Sequence, residues 1–393
     1  MLKKVKVTQL RKGMYINDLN RGWFNHPFTL NRFKLENEHD VRKMIAAGVK
    51  EVEIDIAKGL DVLAPKKSVQ PVESVTTAQE TILVPQPSDK ISVLQELSQA
   101  KIAFAEAGEF ITEMMAHVKM GHNIELEQVN PIISKMSASI LRNQNALLGL
   151  SRIRVMDKYT FEHSVSISVL MMAFAKGLGL SNKIINEVGI GGLLHDIGKT
   201  LTPPKILNKP GKLTPAEFVI MKRHVVDSYN ILQKTKGLSQ IALNVAGQHH
   251  EKFDGNGYPH GLKGNAISLY GQMSAITDVY DALTADRCYH SGKEPSEVLK
   301  LLLKWSGSHF NPELVQKFIQ SVGIYPPGSL VMLNNGFLAK VIDIHDNMLK
   351  PEVEILYHAK TRKMVNNKTI NLTEHPNIKI ISVESYVKWN VQI

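Results

Sequence analysis

GLLHDIGK, residues 192–199, sets a histidine, an aspartate and a lysine directly behind an apolar run. If the segment is helical, each residue turns by about 100°, so His195 and Lys199 at i and i+4 share one face, with Asp196 three residues before Lys199. A cation one turn beyond two potential metal ligands can meet an anionic substrate without displacing the metal. The surroundings favour helix. Apolar residues recur at spacings of three and four in ISVLQELSQAKIAFAEAGEFITEMMAHV, residues 91–118, and again in EPSEVLKLLLKWSG, residues 294–307. The periodicity predicts a mainly α domain from Ile91 to about Gly323.

Outward from that domain the pattern changes. Residues 1–64 carry short alternating runs, KVKV and EVEID, and a helix-like piece, ENEHDVRKMIAAG, that stops at Gly48. A small N-terminal α+β domain is expected, with a regulatory role open to it. Residues 65–90 are rich in Pro, Ser, Thr and Gln without periodicity and read as a linker. Residues 91–150 form a helical connection whose amphipathic stripe serves either the core or a second copy of the chain. Residues 151–325 form the central helical domain. Beyond them LVMLNNGFLAKVIDIHD, EVEILYH and IKIISVESYV read as strands, so 326–393 is expected to be a short C-terminal β appendage.

Composition narrows the function classes. The 393 residues hold 43% hydrophobic and 21% charged side chains, enough for real cores, and 47 basic against 37 acidic residues give +10. That charge suits a small anionic ligand, an acidic surface or nucleic acid, but no recognised DNA-reading motif supports double-stranded nucleic acid. The single cysteine, Cys288, excludes an intramolecular disulfide and points to a reducing compartment. No apolar run at the N-terminus has the form of a signal peptide, and the longest one, from Val165, is broken by Lys176 and too short for a bilayer. The expected location is the cytoplasm, with no membrane partner.

The histidines carry the chemistry. His163, His195, His224, His249 and His250 fall in or beside helical segments of the central domain, with Asp196 and Asp278. Seven nitrogen and oxygen donors of this kind match two neighbouring divalent ions bridged by a carboxylate. Asp278 lies in SAITDVYDALTADR, residues 274–287, among apolar neighbours where a buried carboxylate needs a partner. In GQHHEKFDGNGYPHGL, residues 247–262, two imidazoles precede a glycine-rich turn of the sort that lets a ligand approach. Taken singly, each histidine reads more simply as a hydrogen-bonded core or surface residue, and Asp278 as an ordinary buried acid. The ordered set is much stronger than its parts.

His163, HDIGK at 195–199, His224, HHEKFDGNGYP at 249–259 and DVYDALTADR at 278–287, in that order, resemble the HD-GYP subgroup of the HD metal-dependent phosphohydrolases over about residues 150–325. Residues 1–64 are similar to the small domain of unknown function that precedes some members. The resemblance implies an all-helical HD core, an iron or manganese centre that zinc or nickel could also fill, and hydrolysis of cyclic di-GMP to linear pGpG or GMP. It places His163, His195, Asp196 and Asp278 around one metal, with Asp196 bridging to a second held by His224, His249 and His250. Lys199 falls where members contact phosphate, and Tyr258 and Arg287 where they contact the cyclic dinucleotide.

Several positions depart from the family pattern. Tyr159 stands where three-metal members carry glutamate, which favours two ions, with Asp157 and Glu162 as off-register alternatives. Val225 and Ser228 replace a frequent Pro and Gly. Gln272 replaces an arginine, and His290 stands where some members hold phosphate with lysine. Glu251, Asp254 and Asp281 are candidates for orienting the imidazoles. Rival readings are a hydrolase of 3′3′-cyclic GMP-AMP, a more general nucleotide phosphohydrolase, and a sensor that binds a cyclic dinucleotide, or a diguanylate cyclase through its GYP loop, without hydrolysis.

Overall fold

The computed structural model describes residues 2–11, 13–18, 33–35, 51–60, 91–152, 159–285, 292–345 and 347–389, together with 41, 44 and 49. The chain divides into two compact units, Met1–Leu83 and Val84–Ile393. In the first, β1 (Leu2–Lys6), β2 (Tyr15–Asp18), β3 (Phe33–Lys34) and β4 (Glu51–Asp55) form a four-stranded antiparallel sheet in the order β1-β4-β2-β3. Alternation explains it: in EVEID, Val52 and Ile54 turn inward while Glu51 faces solvent, and Val5 lies opposite Val52 in the β1–β4 register. Val7, Met14, Ile16 and Met44 complete this core. Most of the helix expected over 36–48, and the 65–90 linker, lie outside the described residues.

The second unit begins with α1 (Val93–Lys119), which Ser92 and Gln95 start with a capping box, and α2 (Leu126–Leu150), packed against it. Val93, Ala100, Ala103, Ala107, Ile111, Met114 and Val118 are the buried stripe of α1, spaced three, four or seven apart as the sequence pattern predicts. Buried Glu96 takes two hydrogen bonds from Arg142 of α2, at 2.6 and 2.8 Å. Then come α3 (Tyr159–Gly177) and α4 (Asn182–Leu194). They pack so closely that a Cβ on Gly192 would lie 2.9 Å from the Ser168 Cα. After them run the short α5 (Pro204–Leu207), α6 (Pro215–Gln233), α7 (Gln240–Gln248), α8 (Leu269–Thr284), α9 (Pro295–Lys304) and α10 (Pro312–Val322). Phe318 of α10 joins Phe174 of α3 and Tyr280 of α8, with ring centroids 5.3 and 5.1 Å away.

The chain ends in β5 (Leu330–Leu333), β6 (Phe337–Asp343), β7 (Glu352–His358), β8 (Lys363–Asn371) and β9 (Ile380–Glu384), an antiparallel sheet in the order β8-β7-β6-β5-β9, followed by α11 (Tyr386–Trp389). The architecture is the expected one: a mainly α protein with a small N-terminal sheet and a C-terminal β appendage. Among the described residues no helix is long and apolar enough to cross a membrane.

One local expectation fails. GLLHDIGK is not a continuous helix: α4 stops at Leu194, His195 is its C-cap, and Asp196 (φ −101°, ψ 9°) leads into a 3₁₀ turn over Ile197–Leu201. The cause is tertiary. Gly198 is pressed against α6, where a Cβ would come within 2.3 Å of the His224 carbonyl oxygen, and its N–H donates to Ser228 Oγ at 2.8 Å. In the tighter turn Lys199 stands over Asp196 at i+3 instead of His195 at i+4.

Candidate metal centre

The α3, α4, α6, α7 and α8 helices each deliver part of one buried cluster. His163 comes from α3, His195 and Asp196 from the end of α4, His224 from α6, His249 and His250 from the end of α7, and Asp278 from α8. All seven predicted ligands converge. His163 Nε2 lies 3.2 Å from Asp278 Oδ1 and 3.5 Å from Asp196 Oδ2, and His195 Nε2 is 3.3 Å from the same Asp196 oxygen. The other Asp196 oxygen faces His224 Nε2 at 3.4 Å and His249 Nε2 at 3.8 Å. His250 turns Nδ1 toward Asp278 Oδ2 at 3.5 Å.

Backbone carbonyls set the imidazole tautomers. His195, His224 and His249 direct Nδ1 to the carbonyl oxygens of Gly192, Met221 and Ala246, each three residues back, at 2.8, 2.7 and 2.8 Å. A carbonyl can only accept, so the proton sits on Nδ1 and each Nε2 turns a lone pair into the cluster. His163 Nδ1 meets Asp281 Oδ2 at 2.6 Å and is fixed the same way. Asp281 therefore does what was expected of it.

The result is a site that its own atoms leave unsatisfied. His224 and His249 bring Nε2 to Nε2 at 3.3 Å, two lone pairs facing each other. His195 Nε2 and Asp196 Oδ1 are buried with no hydrogen-bond partner. Burial pushes the pKa of His249 well below 6.5 and that of His224 below it, so protons do not relieve the contact. Burial likewise lowers His250, to about 4. For His163, burial lowers the pKa but the hydrogen bonds of Asp278 and Asp281 outweigh it and raise it to about 9. Burial would raise the Asp196 carboxyl, yet its neighbours His195 and Lys199 hold it well below 3.8. Divalent cations fit such a donor set: imidazole and carboxylate ligands, with ligand atoms of His224, His249 and His250, and of His163, His195 and Asp278, gathered within 4.8 Å.

Around the cluster, Lys199 places Nζ 2.5 Å from Asp196 Oδ2 and keeps 24% of its side chain exposed. Tyr258 lies against His250, ring centroids 4.7 Å apart, and closes its loop by donating its backbone N–H to the His250 carbonyl. Burial and the negative charges of Asp278 and Asp196 keep its hydroxyl protonated. Among the described residues neither Glu251 nor Asp254 hydrogen-bonds an imidazole of the cluster with its carboxylate. Glu251 accepts the N–H groups of His260 and Leu262 at 2.8 and 3.0 Å, and Asp254 that of Asn256 at 2.9 Å, so both hold the loop's shape. Gln272 donates to the Ile267 carbonyl and accepts from Asn311, tying a loop to the start of α10. Arg287, His290 and Asp157 lie outside the described residues, as does the side chain of Tyr159; Glu162 is half-buried on α3.

Sequence reasoning missed the three carbonyl clamps, because any residue supplies a carbonyl. It also missed Phe218 and Lys222 of α6, which lie beside Tyr258. Their signal was available: they stand six and two residues before His224 on one helix.

Comparison with known proteins agrees with this architecture. Residues 127–314 match the HD domain, residues 2–129 a domain of unknown function (DUF3391), and residues 330–388 the KOW domain associated with HD domain. Cyclic di-GMP phosphodiesterase PA4108 of Pseudomonas aeruginosa is 36% identical over 397 residues, covering 99% of this chain and 94% of its own. The 3′3′-cGAMP-specific phosphodiesterase 1 of Vibrio cholerae is 38% identical over 201 residues, covering 49% of this chain and 45% of its own. Bd1817, an HDG"Y"P protein from Bdellovibrio bacteriovorus, is a solved structure with a TM-score of 0.48 and 18% identity over 81% of this chain and 99% of that one.

Proposed function

The chain belongs to the HD-GYP cyclic dinucleotide phosphodiesterases of the HD superfamily, and on that premise we propose that it hydrolyses cyclic di-GMP to linear pGpG, or onward to GMP. The observation that carries this reading is the cluster of facing imidazole lone pairs around Asp196, which bound cations would satisfy. We assign two ions, iron or manganese, with zinc and nickel the alternatives that the same donors admit. His163, His195 and Asp278 would hold one, His224, His249 and His250 the other, and Asp196 both. Bound there, they would supply Lewis acidity and lower the pKa of water.

The chain's own groups do the rest. Asp281 and the three carbonyls hold the imidazoles in one tautomer, so no reorganisation is needed as charge develops. Lys199, partly exposed at the rim, turns its ammonium to a non-bridging phosphate oxygen. Tyr258 keeps a hydroxyl that can donate to phosphate. Arg287 and His290 add contacts to the dinucleotide. Residues 151–325 are the catalytic domain, 91–150 a connection suited to dimerisation, 1–64 a regulatory domain and 326–393 an appendage. The setting is the cytoplasm, and a diguanylate cyclase is a candidate partner.

The Vibrio cholerae relative makes 3′3′-cyclic GMP-AMP the second substrate to test. The experiment is anaerobic purification, a count of Fe, Mn, Zn and Ni per chain, and chromatography of both dinucleotides, with His195→Ala, Asp196→Ala as control. Two ions per chain and linear product lost in the double variant are expected. Two ions with tight binding and no product would make the protein a sensor, and a metal-free chain under every loading condition would sink the assignment.

A further inference from the structure

Beside the metal cluster, α6 carries a second feature. Thr214 and Glu217 start this helix with a reciprocal capping box, and the first turn they fix holds Phe218, 45% exposed. One turn on, Lys222 sets Nζ 5.4 Å from the Phe218 ring centroid and 5.7 Å from that of Tyr258. The two rings meet edge to face with centroids 6.2 Å apart, and Tyr258 lies in turn on His250. Among the described residues Lys222 has no carboxylate within ion-pair distance. An exposed ring next to an uncompensated ammonium, continuous through Tyr258 with a phosphate-directed metal cluster, has the make-up of a nucleotide-binding wall.

Substrate chemistry supplies the occupant. A cyclic dinucleotide has two phosphodiesters and two bases, so with one phosphodiester at the histidines it has a base and the second phosphodiester to offer to an adjoining wall. We propose that Phe218 stacks on one nucleobase and that Lys222 binds the phosphodiester that is not cleaved. This deepens the phosphodiesterase reading and rests on it. Stacking tolerates either purine, and lysine acts as a point charge, so the pair contributes affinity for the dinucleotide class and leaves the choice between guanine and adenine to other contacts.

Steady-state kinetics and calorimetric binding of cyclic di-GMP test this on the metal-loaded full chain and four variants. Phe218→Ala should raise KM and weaken binding about tenfold with kcat little changed, and Phe218→Trp should restore both. Lys222→Ala should raise KM and flatten its rise with salt. Val219→Ala, on the same turn and 59% exposed, should change nothing. Bis(p-nitrophenyl) phosphate, which has no nucleobase and no second phosphodiester, should be cleaved with the same kcat by all.

Cyclic di-GMP turnover with KM unmoved by Phe218→Ala and Lys222→Ala would overturn the subsite alone, as would an equal loss of kcat on both substrates. Binding without cleavage, weakened by Phe218→Ala, would support the subsite while removing the hydrolase reading. Cleavage of bis(p-nitrophenyl) phosphate with no binding or cleavage of cyclic di-GMP would overturn both.

Discussion

Asp196 and Asp343 are both buried carboxylates of the second unit, and their surroundings are opposite. Asp343, at the end of β6, accepts the side-chain amides of Asn145 and Asn143 and the backbone N–H of Ile344. Asn143 is where α2 breaks (φ −155°, ψ 104°); its Oδ1 accepts the N–H of Asn145, and its amide also donates to the Ile91 carbonyl. Every neighbour of Asp343 in this set is a donor, so its charge is dispersed in fixed hydrogen bonds that pin the C-terminal sheet to the helices. One Asp196 oxygen takes the Lys199 ammonium at 2.5 Å, whereas the other faces the imidazole lone pairs of His224 and His249 and has no hydrogen-bond partner. A buried acid whose two oxygens are both taken by fixed donors is a joint; one that keeps an unpaired oxygen among imidazole lone pairs fits a cation. His345 and Glu352 approach Asp343 closely enough to make a trio of potential ligands. The donors already on Asp343 argue against metal there, and Glu352 has His345 itself as an ion-pair partner at 3.4 Å.

The largest effect should come from Asp196→Asn, which keeps the volume and removes the charge. Bound metal should fall and phosphodiester turnover should drop at least about 10³-fold, beyond what one lost electrostatic contact usually costs. His345→Ala should leave metal content at the wild-type value. Elemental analysis of both proteins breaks the comparison if His345→Ala loses an ion or Asp196→Asn keeps all of them. Next is Asp281→Asn, which weakens the hold on His163 Nδ1 without touching a ligand atom; metal affinity or activity should fall about 10–100-fold, with the helical circular dichroism retained. An unchanged metal affinity would mean that Asp281 only fills space.

Asp343→Ala should reverse the pattern. Removing it takes one acceptor each from the amides of Asn143 and Asn145, which keep the Ile91 and Ile344 carbonyls, at a cost of about 1–3 kcal/mol in stability, seen as a lower melting temperature with metal content and kcat preserved. Loss of metal with the melting temperature unchanged would make Asp343 the functional acid and dissolve the distinction.

This contrast also marks what the sequence could say. The stripe of α1 and the alternation of β4 were legible because each faces a core built from its own period. The seven cluster residues were legible because the ordered motif set, with its resemblance, carries more than any one histidine. The break after Leu194 was not: GLLHDIGK holds no proline, and what ends the helix is Gly198 meeting α6 about thirty residues away. Ser228 and Gln272, departures from the family pattern, were interpretable only once their partners, Gly198 and Asn311, were in view. Asp343 and the asparagines of α2 left no local mark, because they lie about 200 residues apart in sequence.

Glu217 extends the comparison to a partly exposed acid and should give the smallest effect. Like Asp343 it sits among donors: Lys209 Nζ at 2.6 Å and the Thr214 N–H at 2.8 Å hold its pKa below the ordinary 4.5. A carboxyl whose pKa is depressed by folding binds its proton more readily when unfolded. Its stabilisation is therefore complete above about pH 4.5 and is lost as the pH falls through the folded value. Melting curves of wild type and Glu217→Gln should differ at pH 6 and converge toward pH 3. A constant gap across that range would show that the cap acts through geometry and not through charge, and that donor-surrounded acids at the surface do not follow the rule drawn from Asp343.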